Sequence, residues 1–238
     1  MRLAVISDIH GNLAALEAVL SDIKQKNVDT VCCAGDLVGY GPFPDEVIDL
    51  LRENQISSVM GNYDYAIGNS RIVCRCEYKD EEAALIGMAS IQWTLESISE
   101  KNKEFLQRLP FEIDVGTDNY SVRVVHGSPR RNYEYLHENM DEKALYRLLL
   151  ACRTDVLVCG HTHLPFTRRI GDMLLVNSGS VGKPKHGNPQ ASYCIVEING
   201  KTDAEICYVK YDFEATAKAI IERGLPAKLA ENIRTGQG

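Results

Sequence analysis

Seven side chains able to bind a divalent cation sit at or just beyond the ends of short apolar runs. Asp8 and His10 follow LAVIS, Asp36 follows TVCCAG, Asn62 follows SSVMG, His126 follows RVV, and His161 with His163 follows VLVCG. Any one of them alone reads as a cap, a turn residue or a surface polar group. Four of the six histidines fall in these blocks, which independent accidents do not explain. Asp8 with His10, and His161 with His163, are i, i+2 pairs able to clasp an ion as the chain leaves its strand. Asp36 brings two carboxylate oxygens, enough to bridge two ions. Mixed Asp, Asn and His ligands suit manganese, iron, zinc or nickel better than calcium, which takes all-oxygen shells. Two such ions about 3.5–4 Å apart can hold a phosphoryl oxygen beside an attacking hydroxide and lower the pKa of water to about 7.

Such residues converge only if the strands that carry them share one sheet end. In open α/β sheets ligands gather in the crevice beyond the carboxyl ends of the strands. Glycine stands beside every block (Gly11, Gly35, Gly61, Gly127 and Gly160) and permits tight strand-to-loop turns. The first half alternates strand and helix. Strands are expected at 3–6, 30–34 and 57–60, with helices at 12–25, after Pro44, and over a long stretch 81–109 stopped by Pro110. The second half is richer in strands, at 120–125, 155–159, 166–170, 173–176, 192–198 and 205–209, with turn signals at Gly171-Asp172 and Asn199-Gly200. Helices are expected at 141–151 and 213–224. The economical arrangement is one domain over residues 1–238, with two sheets face to face between helices and a helical, peripheral tail from about 213.

Composition narrows the function. A net charge of -7 argues against gripping nucleic acid by bulk electrostatics, and no stable nucleic-acid partner is expected. No apolar stretch reaches the length of a membrane span, and no signal-peptide hydrophobic region precedes Asp8, so the expected compartment is the cytoplasm. The eight cysteines read as free thiols of a reducing compartment, several of them inside apolar runs. His137 and His186 read as surface residues, and Lys183 and Lys185 as solvated, the alternative being that one of them screens a substrate's charge. Asn12 and Arg130 are close in sequence to the ligand types and are candidates for contacting substrate phosphate. Nothing in the sequence fixes whether the chain forms a homo-oligomer.

The blocks Asp8-Ile9-His10-Gly11-Asn12, Gly35-Asp36, Gly61-Asn62-Tyr63-Asp64, Val125-His126-Gly127 and Gly160-His161-Thr162-His163 occur in the order of the calcineurin-like metallophosphoesterases. The chain resembles that family from residue 3 to about 210, and within it the compact bacterial and archaeal phosphodiesterases or diadenosine-tetraphosphatase-like enzymes. The resemblance implies a four-layer αββα sandwich of two mixed sheets flanked by helices. It puts Asp8, His10 and His163 on one ion, Asn62, His126 and His161 on the other, and Asp36 between them. Two divalent transition-metal ions, manganese foremost, are the implied cofactors. The implied reaction is in-line attack of a metal-activated hydroxide on a phosphodiester or phosphoanhydride of a small substrate, nucleotides among them, with Asn62 helping to neutralise phosphoryl charge. One position departs from the pattern. Tyr63 replaces a histidine that assists the leaving group, with Asp64 as the carboxylate that orients it, and a phenol of pKa about 10 is a poor acid near neutrality. The alternatives are a phosphomonoester or phosphoprotein phosphatase, or a protein-binding scaffold on the same fold.

Overall fold

Alternation along β1 (Arg2–Ile6) sets the layering. Leu3 and Val5 enter one hydrophobic core while Ala4 and Ile6 enter another, so the strand is covered on both faces. The computed structural model describes residues 1–117 and 119–237. In it, β1 pairs in parallel with β2 (Thr30–Cys33), which pairs in parallel with the two-residue β3 (Ser57–Ser58). On its other side β1 runs antiparallel to β9 (Ala191–Ile198), and β9 antiparallel to β10 (Thr202–Val209). The second sheet has the order β4 (Glu112–Gly116), β5 (Ser121–Val125), β6 (Val156–Cys159), β8 (Met173–Asn177), β7 (Phe166–Ile170). Its three middle strands are parallel and both edges antiparallel.

Leu3, Val5, Val122, Val124, Val156 and Val158 meet between the two sheets. The outer face of the first sheet packs on α1 (Leu13–Ile23), α2 (Pro44–Glu53), α3 (Asn62–Gly68), α4 (Glu81–Ser97) and α5 (Glu100–Gln107). The outer face of the second packs on α6 (Glu142–Cys152), through Leu145, Leu148 and Leu149. Two mixed sheets between helical layers are the expected four-layer sandwich. Each fully buried Val or Leu contributes about 1.5–3 kcal/mol, so the double core is the main source of stability.

Four local expectations need correction. The stretch 81–109 is two helices, not one: Ile98 turns to φ −75°, ψ 141°, and the Ser99 amide donates to both oxygens of Asp45 at 3.0 and 3.1 Å, which ends α4. A strand at 112–116 was not anticipated. The tail is helical in α7 (Phe213–Glu222) and α8 (Ala227–Thr235), but it is not peripheral. Leu229, Ala230 and Ile233 are buried with Ala217 and Ile220 against Tyr40, Ile86 and Trp93, and Leu229 and Asn232 close one side of the cavity described below. Cys74 and Cys76 are not free thiols. Arg75 between them adopts φ 62°, which brings their Cα atoms to 5.5 Å and joins the sulfurs in a disulfide. The other six cysteines are free, as expected. Among the described residues no helix is long and apolar enough to cross a membrane.

Candidate binuclear metal centre

The parallel strands of both sheets deliver their carboxyl ends to one place. Five of the residues there have left-handed backbone: Asp8 (φ 52°), His10 (48°), Asp36 (54°), His161 (65°) and His163 (61°). Non-glycine residues avoid this region, at about 1–3 kcal/mol each, and persist in it only where the surroundings over-determine them. The turns demand close backbone packing as well. Gly35, at φ 90°, lies so near Gly61 that a Cβ on it would come within 2.6 Å of the Gly61 nitrogen. That contact lets the loops carrying Asp36 and Asn62 lie side by side.

Two buried groups of donor atoms result, Asp8 with His10 and His163, and Asp36 with His126 and His161. Within the first, His163 Nε2 is 3.2 Å and His10 Nε2 3.8 Å from Asp8 Oδ1. Asp36 Oδ2 lies between the groups, 3.4 Å from His126 Nε2 and 3.7 Å from His10 Nε2. Its other oxygen accepts the Tyr63 amide at 2.8 Å. Asn62 Oδ1 lies 2.9 Å from His126 Nε2, while its amide nitrogen is turned away to Cys74 O at 3.0 Å and Cys76 Sγ at 3.1 Å. The carbonyl end of Asn62 therefore faces the donors.

The hydrogen bonding fits a pair of divalent ions. Nδ1 of His10, His126 and His163 lies 3.0, 2.8 and 2.5 Å from the carbonyls of Val38, Ala34 and Lys183. A proton on each Nδ1 leaves the Nε2 lone pairs to the centre, the usual way imidazole ligands are oriented. Asp8 Oδ1 and His161 Nε2 are buried without a hydrogen-bond partner. Orphaned buried polar atoms are costly, and cations would satisfy them. Burial holds the pKa of His10 down to about 3 and those of His161 and His163 well below the usual value, so all three are neutral and ready to ligate. Burial pushes His126 the same way, but the charge and hydrogen bond of Asp36 outweigh it and lift His126 to about 9, so a metal ion would have to displace its Nε2 proton to be ligated there. Asp36 thus acts as a concentrated negative charge at the junction. Chemically, these are two adjoining nitrogen- and oxygen-lined sites for borderline divalent metals.

The remaining sequence candidates divide. Asp64 does not orient the Tyr63 side chain. Its carboxylate accepts the amides of Asp36 and Leu37 at 2.8 Å and of Gly61 at 2.9 Å, and so braces the Asp36 loop. Burial, with the charge of Asp36 second, raises its pKa to about 7. Tyr63 lines the cavity over the donors but is only 1% exposed. It packs edge-on against His10 and its hydroxyl is 3.3 Å from that of Tyr78. Burial, then Tyr40 and Tyr78, push its pKa well above 10. Asn12 is not available to a substrate. It caps α1 by accepting the Ala15 amide, accepts from Thr216, and donates to Gly182 O and Tyr211 Oη. Arg130 points to a neighbouring cavity of about 650 Å³ and is held by Glu134, which it pairs with through both Nε and a terminal nitrogen. His137 is exposed as expected, whereas His186 is half-buried.

One residue escaped the sequence reading, and so did the burial of another. Tyr135 stacks on His161, ring centroids 4.0 Å apart, from a loop with no strand-end signal. Lys183, expected in solvent, is buried above the centre with its Nζ 4.5 Å from the centroid of the Tyr40 ring. Its place in the GSVGKP loop beside a buried turn was the available signal.

A mixed αββα sandwich with two buried His/Asp groups at the strand ends defines a metallophosphoesterase architecture. The model of the calcineurin-like phosphoesterase superfamily domain matches residues 1–201, and the chain belongs to that family. It is 34% identical to an uncharacterized protein of Methanocaldococcus jannaschii, over 99% of this chain and 98% of that one. It is 28% identical to the phosphodiesterase YfcE of Escherichia coli, over 83% and 88% of the two chains. The crystal structure of a metallophosphoesterase from Sphaerobacter thermophilus is similar throughout, at 31% identity with a TM-score of 0.80 and 99% of each chain covered.

Proposed function

We propose that this chain hydrolyses phosphodiester or phosphoanhydride bonds of small substrates, nucleotides among them, using two divalent transition-metal ions, manganese foremost. Asp8, His10 and His163 would hold one ion and Asn62, His126 and His161 the other, with the Asp36 carboxylate available to both. The observation that carries this reading is the placement of Asp36 Oδ2 within 4 Å of a histidine from each donor group, at 3.7 Å from His10 and 3.4 Å from His126. When bound, such ions lower the pKa of water and draw charge from phosphoryl oxygens. The protein's part is to fix geometry. Backbone carbonyls hold three imidazoles, Asp64 holds the Asp36 loop, and Tyr135 covers His161. The cavity of about 650 Å³ that opens at Asn62 gives room for an organic substituent between Tyr65, Tyr133 and Phe111.

Tyr63 supplies no easy proton, since its pKa is driven further from neutrality. Substrates whose leaving groups are weak bases are therefore favoured. The test is hydrolysis by manganese-loaded protein of aryl and alkyl phosphodiesters, with Tyr63→His alongside. The expected outcome is a preference for aryl esters, with Tyr63→His accelerating alkyl esters about 10-fold more than aryl ones, below the roughly 10²–10⁴ of a fully placed acid. No hydrolysis of any phosphate ester at full metal occupancy overturns the function. Equal changes on both ester classes overturn the role given to Tyr63.

A further inference from the structure

Lys183 is a buried amine in the cavity that the metal-ligand candidates line. The residue is 6% exposed, its Nζ rests 4.5 Å from the centroid of the Tyr40 ring, and among the described residues no carboxylate pairs with it. Burial, with the charge of Lys185 second, holds its pKa well below the usual lysine value, which a bound anion would offset. Buried charges are normally paired with a countercharge or a ligand. Lys185, two residues on, is half-buried and likewise unpaired among the described residues. Both lysines line the same cavity of about 200 Å³ as His10, Asp36, His161 and His163.

Their position is fixed by the centre itself. Ser180 Oγ donates to Asp8 O at 2.8 Å and accepts the Lys183 amide at 2.8 Å. The Gly182 amide donates to Asp8 O at 3.0 Å, and Lys183 O is the acceptor for His163 Nδ1. The lysine loop is thus tied to the Asp8 carbonyl and the His163 ring, so it keeps its place beside the donors.

We infer that Lys183 and Lys185 form a subsite for a second phosphate next to the phosphoryl group that reacts, which makes phosphoanhydrides the preferred substrates. The inference rests on the proposed phosphoesterase reading and narrows its substrate class. Water oxygen bonds to phosphorus, the bridging P–O bond breaks with its electron pair going to the departing phosphate, and a proton passes to solvent. The lysines stabilise the charge on that departing phosphate, so no protein acid is required. Tyr40 and Tyr63 also line the cavity, with charged residues of both signs, Glu77, Lys79, Asp80, Glu82 and Lys228.

The test uses full-length protein saturated with manganese and imidodiphosphate, a non-hydrolysable diphosphate, with orthophosphate as the single-phosphate comparison. Affinities come from titration calorimetry, with metal content checked before and after. Lys183→Met is expected to weaken imidodiphosphate about 10- to 100-fold, as for loss of a charge-assisted hydrogen bond, and orthophosphate by much less. Lys185→Met shifts affinity in the same direction and serves if the first variant does not fold. Lys143→Met, on exposed α6, is the control. Imidodiphosphate affinity equal in wild type and the folded lysine variants, or an equal loss for both ligands, overturns the subsite. Turnover of bis(4-nitrophenyl) phosphate by the same wild-type preparation keeps that failure separate. If it is hydrolysed, the phosphoesterase reading stands without the subsite; if no ester is hydrolysed, the reading itself falls.

Discussion

Removing the Asp64 carboxylate isolates what braces the centre from what binds metal. Three buried amides, from Asp36, Leu37 and Gly61, donate to this one side chain at 2.8–2.9 Å. Each buried donor left without an acceptor costs about 1–3 kcal/mol. Asp64→Ala therefore loses about 3–9 kcal/mol, a large part of the roughly 5–15 kcal/mol that holds a typical domain folded. Asp64→Asn is milder. Its amide oxygen can accept from Asp36 and Gly61 as Oδ2 does, while its NH₂ faces the Leu37 amide, so one acceptor is lost. The expected cost is about 1–3 kcal/mol. In a chain of this size each kcal/mol lowers the melting temperature by roughly 2–4 °C. The assay is urea unfolding followed by far-UV circular dichroism on metal-free protein, because bound ions would add their own stabilisation by mass action. An Asp64→Ala protein within about 1 kcal/mol of wild type would refute the bracing role and the hydrogen-bond reasoning behind it.

Two further substitutions separate structural from functional roles. Asn12→Ala removes the α1 cap and two buried donor contacts, so it should destabilise by about 2–4 kcal/mol in denaturant unfolding; the folded fraction should keep wild-type KM, and a raised KM with unchanged stability would restore Asn12 to substrate binding. Tyr135→Ala removes the ring stacked on His161, a contact of about 0.5–1.5 kcal/mol; metal affinity measured by competition with a chelator should fall by roughly 2- to 10-fold, and unchanged affinity would leave Tyr135 as a mere cover.

Much of the site was legible because each donor stands directly after an apolar run and beside a glycine. Asp8 and His161 are examples, where strands buried on both faces, β1 and β6, could be read from the continuous apolar runs LAVI and VLVC. Where such a strand ends, its next polar side chain has few places to go. What escaped lies in contacts between segments distant in sequence. Asn12 looked free until Thr216, Tyr211 and Gly182 were seen to consume its amide. Asp64 looked like a partner of Tyr63 because it follows it, whereas a helical start turns the two side chains apart. The break at Ile98 depends on Asp45, which is 54 residues from the Ser99 it binds. The short edge strand at 112–116 and the closing role of α8 are likewise set by packing partners rather than by their own patterns. For Lys183 the charge argued for solvent, and only the tie of its loop to Asp8 and His163 buries it.

The central claim is that Asp36 joins two metal sites into one centre. Native mass spectrometry of wild type and Asp36→Asn after reconstitution with manganese tests it most directly. The account predicts about two ions per wild-type chain, and at most one in Asp36→Asn with the fold retained by circular dichroism. Saturation of the wild type at a single ion, or two ions bound as tightly by Asp36→Asn as by wild type, would contradict it.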